Sequence, residues 1–505
     1  MTNQWLIMPV AIPAMTAALL VLAMRYSLAG QRIVSVAATA LQFAVAIGLY
    51  ILASGGEPQV YHLGNWPAPF GIVLVLDRLA SIMLLLAGLL AIGVVLAALG
   101  EWDKRGRHFH ALFQFQMLGL NGAFLTGDLF NLFVFFEVLL IASYGLMLHG
   151  GGPQRLKAGF HYIAINLIGS TVFLFAVGTI YAVTGTLNMA DLAVKVPQIA
   201  APNQALLATG AVLLLTVFAI KSAAVPLHWW LPPTYGSTSP PAAALFAIMT
   251  KVGAYSIIRV YTLIFGADAG PLAGVATPWL LPAGIVTLVL GTVGVIASRS
   301  LLDLVCHSLI ASMGTLLIAI GLASAAGFAA ALYYALQSTI ASAALFLLAG
   351  LLTQGREGRS RVERVPQQAM LFAGFYFLLA IAVVGMPPLA GFIGKLLILD
   401  AGRAAFHTTA VWPAILITSL FMIAGFARTG MQIFWNSPRD AKLTHAAPML
   451  PTLVIAAMII TVAALSVFAG PVMDDMTATA EQLLTPQRYI AAVLRPRIAA
   501  NLPGE

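Results

Sequence analysis

The feature that most constrains this chain is a succession of long apolar stretches joined by short polar connections. Fourteen can be marked, at roughly 4–24, 31–53, 73–98, 108–126, 128–149, 157–183, 205–235, 240–266, 275–297, 302–323, 326–354, 368–404, 408–436 and 446–470. Most run about 20 residues or more, the length a helix needs to cross a hydrocarbon core of ~30 Å. They lack the alternation that a membrane-barrel strand requires. Composition agrees: 61% of the residues are hydrophobic and 8% are charged, where a soluble domain carries about 25% charged residues. The sequence therefore predicts an all-α polytopic membrane protein of about 14 transmembrane helices. The first stretch has no basic leader and no small-residue cleavage site, so it reads as a spanning helix and not a removed signal. A single cysteine, Cys306, excludes a disulfide framework and any iron–sulfur or zinc centre built on several cysteines.

Charge placement gives a topology. With the N-terminus outside, the inner connections hold Arg25, Arg32, Lys104, Arg105, Arg107, Arg155, Lys157, Arg299, Arg356, Arg359, Arg361, Arg364, Arg439 and Lys442. The outer connections hold Lys195 and Arg403, and the tail beyond residue 471 adds Arg488, Arg495 and Arg497. Fourteen against two supports the helix count with both termini on the outer side of the membrane, which is expected to be a bacterial cytoplasmic (inner) membrane. That tail is expected to form an amphipathic helix on the membrane surface. The net charge of +8 follows from this asymmetry and does not indicate a nucleic-acid partner.

Ionisable residues inside the spanning stretches carry the functional information. Each costs ~2.5–3.5 kcal/mol on insertion scales, so it lines a pathway or has a partner. Four stand out: Glu137 in "LFNLFVFFEVLLIASYGLM", Lys221 in "AIKSAAVPLHWWLPP", Lys251 in "LFAIMTKVGAYSIIR" and Lys395 in "GMPPLAGFIGKLLIL". Structural salt bridges between helices would explain one such residue. One carboxylate and three lysines, each near the middle of its own stretch, fit a proton pathway better. A lysine and a carboxylate about 4 Å apart interact by roughly 4 kcal/mol at an effective dielectric near 20, about a thousandfold in proton affinity. Glu137 and Lys221 are the natural pair, and their separation would switch the lysine.

Proline marks two of these stretches as broken. Pro226 cannot donate to the carbonyl of Ser222, and Pro387 and Pro388 free those of Val383 and Val384. In lipid such breaks persist only where protein or water satisfies the freed groups. Both breaks lie within a few residues of a lysine, as in transporters built from repeats. "AAVPLHWW" and "GMPPLAGF" are five stretches apart, which divides the chain into helices 4–8 and 9–13. Five is odd, so the second unit is inverted relative to the first. The expected divisions are 1–107 for the three N-terminal helices and 108–266 for the first repeat. Residues 275–436 form the second repeat, and 437–505 the last helix and tail.

Further candidates are weaker. His307 lies four residues after Asp303 and is a candidate relay between the units, although a packed polar residue would look the same. His228, beyond Pro226, is a candidate lining residue. Asp128 lies nine residues before Glu137, some 13 Å along a helix, and reads as a solvated helix end. His161 and Arg259 read as packing or interface residues. There is no nucleotide-binding loop, metal-ligand cluster or nucleophilic triad, so no soluble-type catalytic site, cofactor or metal is expected, and the chain reads as a transporter and not an enzyme.

These residues resemble the antiporter-like subunits shared by respiratory complex I and the multi-subunit Mrp (Pha-type) monovalent cation/proton antiporters. "FFEVLLIASYGLM", "KSAAVPLHWWLPPTYGSTSPPAAAL", "TKVGAYSIIR" and "GMPPLAGFIGK" carry the resemblance, clearest from about residue 70 to 435. It implies fourteen helices, two inverted five-helix repeats with helices 7 and 12 broken, and a pathway through Glu137, Lys221, Lys251 and Lys395. Complex I subunits of similar size usually have a glutamate where Lys395 stands, so the resemblance is stronger to the Mrp side. Many relatives also have a histidine and a lysine in helix 11, where this chain has Gln337 and Ser342, with Ser338 between them. Waters held by these three would replace them.

The expected function is proton translocation within a multi-subunit Na+ or K+/H+ antiporter. The expected partners are the other subunits of the complex, the lipid bilayer, protons and Na+ or K+. A proton-pumping subunit of a complex I-like or membrane-bound hydrogenase assembly is one alternative. A structural membrane subunit that transports nothing is another.

Overall fold

Peptide groups in hydrocarbon must bond within their own segment, and the apolar stretches accordingly fold as helices. The computed structural model describes residues 4–353, 368–405, 407–435 and 447–494. The N-terminal helices are α1 (Met8–Leu22), α2 (Leu28–Ser54) and α3 (Arg78–Ala98). Between α2 and α3 lies a small antiparallel hairpin, β1 (Gln59–His62) with β2 (Val73–Leu76). The hydropathy reading merges β2 with the third helix. Its four apolar residues are fully buried, and the helix starts only where the Asp77 side chain accepts the Ala80 N–H as N-cap.

The first repeat contains α4 (Phe109–Leu125), α5 (Leu129–Leu148) and α6 (Pro153–Thr184), then the short α7 (Met189–Lys195). It continues through α8 (Ala201–Lys221) and α9 (Leu231–Ser237), the two halves of a broken helix, and ends in α10 (Pro240–Phe246) and α11 (Met249–Leu263). The second repeat contains α12 (Thr277–Ala297), α13 (Leu301–Gly321) and α14 (Ala325–Thr353). Its broken helix is α15 (Ala369–Val384) with α16 (Ala390–Ala404), followed by α17 (Thr408–Phe434). The last crossing is α18 (Met449–Val467), and α19 (Ala469–Leu483) and α20 (Gln487–Leu494) close the described chain.

Twelve of these helical spans are long and apolar enough to cross a membrane unaided. The other two crossings are α4, with 17 residues, and the pair α15 and α16, with 16 and 15. Fourteen crossings follow, with helices 7 and 12 broken and five crossings per repeat. The most buried spans are α10–α11, α13 and α14. They form the protein-facing axis, while α6, α12 and α17 leave large apolar side chains such as Phe175, Val293 and Leu420 exposed. Helices α12 and α13 pack closely enough that a Cβ on Gly284 would come within 2.6 Å of the Ile318 nitrogen.

Because each crossing reverses direction, the connections after α1, α3, α5, α9 and α12 lie at one end. Arg155 reaches from the start of α6 to the Ser237 carbonyl at 2.9 Å, which joins two of them. At the same end Arg32 grips Asp103 in a fork, with Nε 2.5 Å and Nη2 3.0 Å from the carboxylate oxygens. The buried His110 lies 3.5 Å from the same carboxylate. Burial alone would raise the Asp103 carboxyl, but the Arg32 hydrogen bond and charge outweigh it and hold the group below its ordinary range. Six of the fourteen inner charges, Arg356, Arg359, Arg361, Arg364, Arg439 and Lys442, lie outside the described residues, as do Arg495 and Arg497 of the tail.

The tail differs from the expected surface helix. Asp475 of α19 accepts from Arg78 Nη1 at 2.7 Å and from the Tyr50 hydroxyl at 2.9 Å. The Gln482 amide donates to the Gly56 carbonyl at 2.8 Å, and Tyr489 and Val493 of α20 are buried. The apolar face of α20 is thus covered by protein, packed against α7 and β1, while α19 makes the polar contacts to Arg78, Tyr50 and Gly56.

Candidate ion-translocation site

The first break begins where α8 ends, at Lys221. Residues 222–230 leave the helix, with Pro226 among them. The Trp230 indole N–H donates to the Ile220 carbonyl at 3.1 Å, and the Val225 N–H donates to Thr287 of α12 at 3.0 Å. Lys221 is buried, and its Nζ donates to Asn166 Oδ1 at 2.8 Å. One turn further along α6, the Ser170 hydroxyl donates to the Glu137 carboxylate. Phe136, beside Glu137 in sequence, has its ring centroid 5.9 Å from Lys221 Nζ.

Glu137 and Lys221 are therefore neighbours joined through α6 and do not form an ion pair within 4 Å. In place of the expected direct pair, Glu137 is held by Ser170 and Lys221 by Asn166, one turn apart on α6, with the Asn166 amide N–H donating to the Tyr162 carbonyl. Asn166 and Ser170 do not stand out in the sequence reading. Their signal is an amide and a hydroxyl at i and i+4 in an apolar helix, which puts both on one face. Glu137 itself lies on a stripe of α5 with Phe130, Val134 and Ile141, which are 46%, 38% and 64% exposed. Among the described residues, Ser170 of α6 covers one side of the half-buried Glu137, while Phe130, Val134 and Ile141 stay exposed.

Lys251, on α11, is fully enclosed, and its Nζ has no hydrogen-bond partner among the described residues. The three helix-11 positions, Gln337, Ser338 and Ser342, are all buried on α14. Both amide atoms of Gln337 lack a partner among the described residues, while Ser338 bonds its own helix at Ala335. Buried polar groups of this kind are ordinarily satisfied by water.

The second break lies between α15 and α16, where 385–389 contain Pro387 and Pro388. Gly385 adopts φ +82° and caps α15. Pro388 has no N–H to offer the Val384 carbonyl, and Lys395 Nζ takes that place at 2.8 Å. The same ammonium donates to Ser419 Oγ of α17 at 2.8 Å. Lys395 is buried, and no carboxylate among the described residues is within ion-pair distance of it. Ser419 is a further residue that sequence reasoning passes over, since one hydroxyl in an apolar helix carries no distinguishing pattern.

The remaining candidates separate. His307 Nδ1 faces the Asp303 backbone carbonyl at 2.8 Å, and not its carboxylate. Its ring lies on Gly294 at the α12–α13 seam. Asp128 is the N-cap of α5, accepting the Asn131 N–H at 2.8 Å. His161 is exposed and bonds its own helix. Arg259 forms a buried fork with Asp77 at 2.5 and 2.7 Å, so it is a structural ion pair joining α11 to the cap of α3. Among the described residues no group of three or more His, Cys, Asp or Glu side chains is arranged to hold a metal.

Fourteen crossings, two five-helix repeats and a buried lysine at each of two broken helices define a class, the antiporter-like membrane subunits. The transmembrane family described as "NADH:quinone oxidoreductase/Mrp antiporter, TM" matches residues 126–424, and the chain belongs to it. It is 39% identical to a probable K(+)/H(+) antiporter subunit of Rhizobium meliloti, over 97% of this chain and 98% of that protein. It is 35% identical to a Na(+)/H(+) antiporter subunit of Bacillus subtilis, over 98% of this chain and 100% of that protein. Among solved structures it matches a chain of the Mrp complex from Dietzia sp. with a TM-score of 0.87 and 27% identity, covering 98% of this chain and 100% of that one.

Proposed function

We propose that this chain is a proton-translocating subunit of a multi-subunit Na+ or K+/H+ antiporter. The observation that carries this is that its buried lysines sit at, or on the axis between, two helix breaks. Glu137 with Ser170 and Asn166 sets how tightly Lys221 holds a proton. Lys251 is the central site, reached through water beside Gln337, Ser338 and Ser342, with His307 and His228 lining the seam between the repeats. Lys395 is the terminal exchange site. Proton movement inward through this file drives cation export. A lysine axis suits protons, since alkali cations prefer oxygen ligands.

The same reading supplies partners and placement. A half-buried carboxylate beside the exposed apolar residues of α5 is costly against lipid, which favours a neighbouring subunit there. The charge asymmetry favours an inner-membrane orientation with both termini outside. Names of the relatives favour antiport over a redox-driven pump or an inert scaffold. The domain divisions given above, at 107, 266, 275 and 436, are proposed to separate the N-terminal helices, the two repeats and the last helix with its tail. The test is cation-triggered pH change in vesicles carrying the whole complex, with Lys221→Ala or Glu137→Ala in this subunit. Lost antiport in an assembled complex supports the reading, and full antiport overturns it.

A further inference from the structure

The two breaks are closed by different chemistry. At the first, the added donor is the Trp230 indole on the Ile220 carbonyl, a group that does not titrate. At the second, the donor on the Val384 carbonyl is the Lys395 ammonium. The stem of that lysine passes directly over Gly385, where a Cβ would come within 2.7 Å of Lys395 Cδ. Gly385 is thus required twice, by its φ of +82° and by the lysine above it. Ser419 of α17 holds the ammonium from the other side.

We infer that the second break is a proton-operated latch, in which charged Lys395 pins α15 to α16 and Ser419 is its positioning residue. This rests on the proposed proton path through Lys395 and adds what proton release does to the fold. In the charged state the ammonium donates two of its three N–H groups, to the carbonyl and the hydroxyl. When it releases a proton to water, the neutral amine keeps two N–H groups and gains a lone pair. Ser419 then becomes donor to that lone pair, and the carbonyl keeps only a neutral, weaker bond. The weakened carbonyl contact lets the 385–389 segment loosen and take up water.

The surroundings leave Lys395 as the group that titrates. On α14 the residues against Gly394 are Tyr333 and Tyr334, beside Lys395. On α15 the Tyr376 hydroxyl is engaged by the Phe426 carbonyl. Arg428 of α17 bonds the Ser298 carbonyl, and Asp303 and His307 lie in the first two turns of α13. On α16 itself, Asp400 and Arg403 pair with each other at the exposed end, and α18 has no ionisable residue.

The chain has one cysteine, Cys306, which is buried, so introduced cysteines report locally. Met386→Cys in the second break and Trp229→Cys in the first are labelled with maleimide in membranes holding the complete complex. The ratio of the two at each pH removes the intrinsic reactivity of the thiol. The ratio is expected to rise at least about threefold from neutral to alkaline pH, as a charged hydrogen bond gives way to a neutral one. With Lys395→Arg, permanently charged, it stays low throughout; with Ser419→Ala the rise begins at lower pH and the antiport pH profile moves with it. A flat ratio with Lys395 present, or a Ser419→Ala profile superimposable on the wild type, overturns the latch. Lys395→Ala separates the two ideas. If it abolishes antiport while the wild-type ratio is flat, the latch alone falls; if it antiports at full rate, the proton path falls with it.

Discussion

Helices 7 and 12 answer the same physical problem in two ways. Each is interrupted by proline in a medium that cannot hydrate a loose carbonyl. In helix 7 the lysine precedes the break and turns away to Asn166, while tryptophan and threonine side chains satisfy the backbone. In helix 12 the lysine follows the break and folds back to satisfy the backbone itself. Two lysines, each beside a proline break, thus have separate tasks. Under the proposed pathway, Lys221 would change charge without disturbing its helix, whereas a change at Lys395 would act on the break.

The largest test of this contrast removes each lysine. Lys221→Ala and Lys395→Ala should each lower antiport more than roughly hundredfold, the scale of losing an essential charge-assisted interaction. They should differ in stability: Lys395→Ala leaves a backbone carbonyl at the break without its donor, Lys221→Ala only a side-chain amide, and thermal unfolding of the complex in detergent should shift down further for Lys395→Ala. Equal stability of the two variants would erase the contrast.

A buried charge outside both breaks gives the next effect. Asp77→Asn strands Arg259 in the protein interior and should cost about 3–5 kcal/mol, read as lower assembly yield or melting temperature. The assembled fraction should retain its pH profile, because neither lysine is touched. A changed profile would place Asp77 in the pathway.

Smaller effects come from the hydrogen-bond donors. Trp230→Phe removes one neutral bond, worth about 1 kcal/mol, and its effect on antiport should be the same at every pH. Asn166→Ala should instead alter the pH at which antiport is half-maximal, with assembly unchanged. The smallest lies at the inner end. Because the Asp103 carboxyl is held below its ordinary range, its pairing with Arg32 stabilises the fold above the carboxylate range. That contribution is lost as pH falls through the lowered value. Asp103→Asn should therefore flatten the acid limb of a stability–pH curve and leave neutral antiport nearly intact, as melting curves at several pH values would show.

Much of the architecture was legible because lipid imposes strong rules. Apolar length located the helices, prolines beside lysines located the breaks, and the odd spacing of those breaks gave the inversion. Sequence patterns mislead where a residue type serves two purposes. Val73–Leu76 is as apolar as a helix, so hydropathy absorbs a buried strand into α3. The tail helix is amphipathic whether it faces lipid or protein, and only the positions of Arg78 and Tyr50 decide that Asp475 docks. Glu137 and Lys221 were identifiable as charges, but their separation by Asn166 and Ser170 depends on how α6 packs between α5 and α8. Ser419 was invisible, since its role exists only through a lysine folded back from another helix.

What matters most is whether protons cross this subunit through its buried lysines. Inverted membrane vesicles carrying the complete complex, acid-loaded by respiration, answer this when a pH-sensitive dye follows the gradient on adding Na+ or K+. The wild type should dissipate the gradient, and an equally assembled Lys221→Ala complex should not. Wild-type dissipation by the Lys221→Ala complex would contradict a proton path through that lysine.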